Sequence, residues 1–169
     1  MPPPARTRTA KSGLAATIHL CTGILRRADT LLLVQSDYPG EAQALWTLPG
    51  GRQQPDETIA EAVAREFLEE TSLHVRVGQL AYVSESLDDQ ADLHVVNFTF
   101  HVQARDDAAP RPADAAVREA RFVPVAEAAD LLQADVLLIP VTAALSQAGN
   151  CGYFFFRNSD IAVPFFGRG

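Results

Sequence analysis

The chain has 169 residues, 47% of them hydrophobic and 21% charged, which fits one globular domain with its own core. Its formal net charge of −7 argues against a nucleic-acid polymer as partner, since that needs a basic stripe. The longest apolar runs, Val136 to Pro140 and Ile161 to Phe166, fall far short of the ~20 residues that span a bilayer, so no membrane partner is expected and the cytoplasm is the default compartment.

The chain opens with MPPPARTRTAKSG, basic and proline-rich, with no apolar core directly behind it. Residues 1–13 therefore read as a disordered leader and not as a signal peptide. A single domain is expected over 14–150. Ala15 to Leu25 and Thr30 to Gln35 are rich in aliphatic and β-branched residues around the polar turn Arg26 to Asp29, the pattern of a hairpin. Ser36 to Ala44, with Tyr38-Pro39-Gly40, reads as a loop, and Trp46 to Leu48 as a short strand that stops at Pro49-Gly50-Gly51. Cys21 and Cys151 have no metal-ligand spacing and read as a buried apolar residue or a free thiol.

The period then changes. Ile59, Val63 and Phe67 recur every four residues, widened by Ala60 and Ala64, which is the helical pattern. Thr58 and Glu61 form a candidate capping box at its start. Val75 to Ser86 and Leu93 to Ala104 read as two strands joined by the acidic turn Asp88-Asp89-Gln90, Arg105 to Ala116 as a loop, and Val117 to Val123 as a strand. Short helices are expected at Ala126 to Gln133 and Val141 to Ala148. Residues 151–169 form an aromatic extension. Tyr153 to Phe156 and Phe165-Phe166 carry too much apolar surface to stand in water, so it is expected to pack on the domain or on a second subunit, making a homodimer. Strands and helices in this order imply α/β packing around one sheet.

The chemistry is concentrated between Gly50 and Leu73. At about 100° per residue, Glu70 lies roughly 40° to one side of Glu66 and Glu69 roughly 60° to the other, so three carboxylates share one helix face beside the apolar stripe. Such neighbours repel one another, and a divalent cation turns that repulsion into affinity. Hard oxygen donors suit Mg²⁺, or Mn²⁺. Arg65, four residues before Glu69, is placed to hold it by a charge-assisted pair. Gly50-Gly51 lets the backbone approach closely enough for a carbonyl to join the metal shell.

Gly51, Glu57, Arg65, Glu66, Glu69 and Glu70 resemble the signature of the Nudix hydrolases, G-x5-E-x7-R-E-U-x-E-E-x-G-U, with U bulky and apolar. At roughly 0.05–0.1 per identity, the six arise together about once in 10⁷ starting points. Trp46-Thr47-Leu48-Pro49-Gly50 also resembles the family's lead-in. The resemblance implies an α/β/α sandwich with a mixed central sheet, the box forming loop–helix–loop. It implies Glu66, Glu69 and Glu70 as metal ligands with the Gly50 carbonyl. Glu57 resembles the family's glutamate behind the ligands, and Arg65 the arginine that orients them; Glu69, Glu70, Arg65 and Glu57 are the implied catalytic set. The implied reaction is hydrolysis of a nucleoside diphosphate linked to another moiety, a nucleoside triphosphate, nucleotide sugar or ADP-ribose-like molecule. Water attacks phosphorus and a nucleotide leaves. The alternative is a catalytically silent nucleotide-binding or regulatory module.

Two positions depart from the signature. Phe67 fills the U position with a ring. Ser72 stands where the box has glycine, and a side chain in the left-handed helix cap costs roughly 1 kcal/mol. Ser72→Gly is therefore expected to stabilise the fold and leave the rate unchanged. The general base that many relatives carry before the last strand falls here on Ala116, which cannot serve. Asp114 and Glu119 are the nearest carboxylates, with Glu85, Asp88 and Asp89 on the other loop. For the substrate, a small nucleotide of the kind taken by MutT-like relatives, the candidate contacts are Arg27, Arg52, His94 and Asn97, with Tyr38 and Trp46 as stacking candidates.

Overall fold

A computed structural model describes residues 17–38, 42–89, 91–146 and 151–158. The 1–13 leader, Pro39-Gly40, Gln90 and Ile161 to Phe166 lie outside the described residues. Strands β1 (Thr17–Arg27) and β2 (Thr30–Ser36) form the expected hairpin. They pair only at its closed end, Arg26 with Leu31 and Arg27 with Thr30. Before that, β1 runs parallel to β6 (Leu93–Ala104), from Thr17 opposite His94 to Leu25 opposite Val102. Pairing between strands so distant in sequence leaves no local signal.

Where β1 diverges from β2 its other edge is free to pair. There β4 (Gly50–Arg52) docks antiparallel, placing Thr22 opposite Gly50 and Cys21 opposite Gly51. The strand expected to stop at Pro49 thus resumes after β3 (Leu45–Thr47), because backbone donors and acceptors next to a free strand edge are satisfied by pairing with it. Helix α1 (Ile59–Thr71) follows. Strand β5 (Val75–Asp88) pairs antiparallel with β6, and β7 (Val117–Pro124) antiparallel with β2.

The last helices are α2 (Val125–Leu131) and α3 (Asp135–Ser146). The second begins before Pro140, whereas the sequence suggests a start after it. An interior proline costs about 3 kcal/mol. The extra turn buries Val136 and Leu137, each contributing about 1.5–3 kcal/mol, so burial wins. Strand β8 (Gly152–Arg157) closes the order, lying parallel to β5 with Tyr82 opposite Gly152 and Leu87 opposite Arg157. Phe154 and Phe156 pack inward, while Tyr153 and Phe155 are exposed.

The mixed sheet runs β3-β2-β1-β6-β5-β8, with β4 attached to β1 and β7 to β2. Helix α1 covers one face, packing Val63 and Phe67 on Cys21, Leu25, Val75 and Val102. Helices α2 and α3 cover the other, over Ile24, Leu31, Leu33, Tyr82 and Val123. This is the expected α/β/α sandwich. No described helix is long and apolar enough to cross a membrane.

Candidate active site

The capping box sets the phase of α1. The Thr58 hydroxyl accepts from the Glu61 N–H at 3.2 Å, and the Glu61 carboxylate accepts from the Thr58 N–H at 2.7 Å. With the start fixed at Ile59, Val63 and Phe67 enter the core, and Glu66 and Glu70 lie buried on the flank facing β4. Glu69 is half-exposed. The Gly50 N–H donates to Glu70 Oε2 at 2.9 Å. A Cβ on Gly51 would lie 2.4 Å from Glu66 Oε1, so the Gly50-Gly51 pair is what lets this strand lie against the acidic flank.

Arg65 organises the cluster. Its Nε and Nη2 grip both oxygens of Glu57 at 3.0 and 2.8 Å, its Nη1 reaches Glu66 Oε1 at 2.8 Å and Glu69 Oε2 at 3.1 Å, and its Nη2 also donates to the Arg52 carbonyl at 3.0 Å. The guanidinium holds the Glu57 carboxyl below its ordinary pKa, and the carboxylates hold Arg65 above its own. The Gln54 N–H adds a bond to Glu57 at 2.7 Å. Like charges at this spacing repel, and each carboxylate accepts from a nearby donor: Glu57, Glu66 and Glu69 share Arg65, and Glu70 takes the Gly50 N–H. Among the described residues, no three acidic, histidine or cysteine side chains converge closely enough to hold a metal ion as they stand. Glu66, Glu69 and Glu70 remain the residues that could hold one. Their donor set is all hard oxygen, and the four glutamates exceed the charge of Arg65 severalfold.

Beside this cluster lies a buried polar patch. Thr22, opposite Gly50 in the β1–β4 pairing, bonds Thr99 Oγ1 at 2.6 Å and Asn97 Oδ1 at 3.2 Å, and Asn97 Nδ2 donates to Thr99 at 3.2 Å. Ser84 stands opposite Asn97 on β5, with Ser86 further along, and all five side chains are buried. Of these only Asn97 is singled out by sequence. The signal for the rest is small hydroxyl side chains at every second position of a strand, Ser84 and Ser86 on β5 and Thr99 two residues after Asn97 on β6, legible only once the strands are aligned.

Other candidates stand elsewhere. Arg27 closes the hairpin, with its guanidinium 4.6 Å over the Phe122 ring and donating to the Asp106 carbonyl at 3.1 Å; it is not brought to the acidic cluster. Arg52 is, through its carbonyl. His94 bonds Thr17 Oγ1 at 3.0 Å and Glu85 Oε1 at 2.6 Å, and Glu85 also accepts from the Tyr153 hydroxyl. Asp114 accepts from the Ala116 N–H at 2.7 Å, and Glu119 pairs with Arg121 at 2.9 Å. Asp88 accepts from the Ala91 N–H, and Asp89 pairs with Arg157. Trp46 lies under the Arg121 guanidinium at 4.9 Å.

The family model of the NUDIX domain matches residues 17–144, the stretch from β1 into α3 that carries all of these acidic side chains. The chain belongs to the NUDIX family. It is 37% identical over 83 residues to the human (Homo sapiens) 8-oxo-dGDP phosphatase NUDT18, covering 49% of this chain and 24% of that protein. It is 33% identical over 93 residues to the ADP-ribose pyrophosphatase of Methanocaldococcus jannaschii, covering 51% of this chain and 54% of that one. The chain thus matches about a quarter and about half of these relatives' lengths. Among solved structures, a NUDIX hydrolase from Nitrosomonas europaea superposes with a TM-score of 0.68 at 20% identity, over 83% of this chain and 77% of that one, a likeness of fold. Strand β8 lies beyond the NUDIX match.

Proposed function

We infer that this NUDIX protein hydrolyses the diphosphate linkage of a nucleoside diphosphate joined to another moiety, with Mg²⁺ or Mn²⁺ held by Glu66, Glu69 and Glu70. The observation that carries the reading is the acidic flank of α1: Glu66 and Glu70 are buried against a glycine strand, and Arg65 is shared among three glutamates. Carboxylates crowded on one buried helix flank repel one another, and a cation bound among them would offset that repulsion. When bound, a divalent cation supplies Lewis-acid polarisation of a phosphoryl oxygen and a more acidic attacking water.

The protein's own groups do the rest. Glu57 holds Arg65, and Arg65 holds the Glu66 and Glu69 carboxylates in place. Gly50 fixes Glu70, which in this reading takes the proton of the attacking water. The Thr22–Asn97–Thr99 patch, with Ser84 and Ser86, offers hydroxyl and amide groups to the nucleoside. The named relatives' substrates, 8-oxo-dGDP and ADP-ribose, share the required linkage.

The test is a panel of CTP, 8-oxo-dGDP, ADP-ribose and a UDP-sugar, with Mg²⁺ and then with EDTA. Chelator-sensitive release of a nucleotide from at least one is expected. Binding without turnover of any would assign the chain to the silent, regulatory class instead.

A further inference from the structure

Helix α1 ends at Thr71, so Glu69 and Glu70 occupy its last turn. Electrostatically this is the wrong end for carboxylates, since the C-terminus is the negative pole of the helix dipole. No basic residue stands in that turn to offset it. Helix ends also fray, and their groups are ordered only as far as the cap orders them.

The cap is Ser72, left-handed at φ 58°, ψ 16°. Its N–H donates to the Leu68 carbonyl at 3.0 Å, as a glycine's would. Its hydroxyl adds what glycine lacks, a bond to the Arg111 carbonyl at 2.9 Å. The Arg111 N–H answers with a bond to the Thr71 carbonyl at 2.8 Å. Arg111 stands between Pro110 and Pro112, which fix their own φ and carry no N–H, so its amide is the only backbone donor of the tripeptide. A stiff segment therefore meets the helix end through a reciprocal pair of bonds. The loop is tied at both ends as well, Arg105 N–H to the His74 carbonyl at 2.9 Å and Asp37 N–H to the Ala116 carbonyl at 2.9 Å.

The geometry points to Ser72 as a positioning residue whose hydroxyl clasps the Pro110-Arg111-Pro112 segment and so fixes the helix turn that carries Glu69 and Glu70. The serine in the box is then no mere defect, and this proposal replaces both expectations for Ser72→Gly, a more stable fold and an unchanged rate. The effect on turnover rests on the proposed function; the clasp itself does not.

The test compares wild type, Ser72→Gly and Ser72→Asn by hydrogen exchange at Leu68 to Leu73, by Mn²⁺ affinity and by kcat and KM. Ser72→Gly is expected to speed exchange there about tenfold. The melting temperature should barely move, because relief of backbone strain offsets the lost bond. Mn²⁺ affinity and kcat should each fall about threefold or more, with KM little changed. Asparagine tolerates the left-handed backbone and carries an N–H donor, so it should restore all three. Wild-type exchange in Ser72→Gly would overturn the clasp. Faster exchange with unaltered Mn²⁺ affinity and kcat would overturn the positioning role. If wild type hydrolyses no nucleotide, the functional reading fails alone, since exchange still decides the clasp and Mn²⁺ affinity the positioning of Glu69 and Glu70.

Discussion

Arg65 touches three glutamates with a single positive charge, and Glu69 is the one of the three it leaves half in solvent. An exposed pair of this kind contributes about 0–1 kcal/mol to stability. Glu69→Gln should therefore melt close to wild type. As a proposed ligand its loss should cut turnover by about a hundredfold or more, beyond the effect of losing a group that merely orients a ligand. Circular dichroism melts beside kcat separate the two, and a near-normal rate would remove Glu69 from the site. At this scale the sequence was most informative for the box. Glu57, Arg65, Glu66, Glu69 and Glu70 sit within one loop and helix, so fixed spacing and the helical angle place them together. Arg27 and His94 show the opposite case. A basic side chain on a strand says nothing of where it is aimed, and hairpin closure and the Glu85 carboxylate decide that.

Helix α1 was legible because its signals are local: Thr58 and Glu61 at the start, a period of four through Val63 and Phe67. Strand β4 was not, because Gly50 to Arg52 is extended only through the free edge that β1 offers. Strand β8 had the composition of a strand, but its partner β5 lies far away in sequence. That join carries a titratable group. Glu85 on β5 accepts from the Tyr153 hydroxyl and from His94, and these donors hold its carboxyl below the ordinary pKa, Tyr153 contributing most. A lowered carboxyl pKa means that the ionised form stabilises the fold. The contribution is complete above the ordinary value and lost as pH falls through the lowered one. Exchange in β8, corrected for its intrinsic rate, should accelerate as pH falls below about 4. Glu85→Gln should flatten that dependence. An identical acid response in the variant would sink the assignment.

For the whole molecule, net charge −7 with buried carboxylates means the folded state should gain from a bound divalent cation. Binding at ten times the dissociation constant stabilises by about 1.4 kcal/mol, which for a chain of this length is about 3–6 °C in melting temperature. Mg²⁺ or Mn²⁺ should produce that rise and EDTA should reverse it; identical melts with and without the ions would count against the metal site. The α/β class was legible from element order, and the sandwich only through the family resemblance. Strand order was not, because the parallel β1–β6 pairing has no local trace. That pairing carries a consequence for how the protein forms. Every box carboxylate is made early on the chain, yet the patch beside them waits for β6 to arrive beside β1. Such a long-range closure is slow. A nascent chain ending at Thr71 would already hold all the box glutamates and still lack Asn97 and Thr99, so ribosomal synthesis must pass β6 before the polar patch can exist.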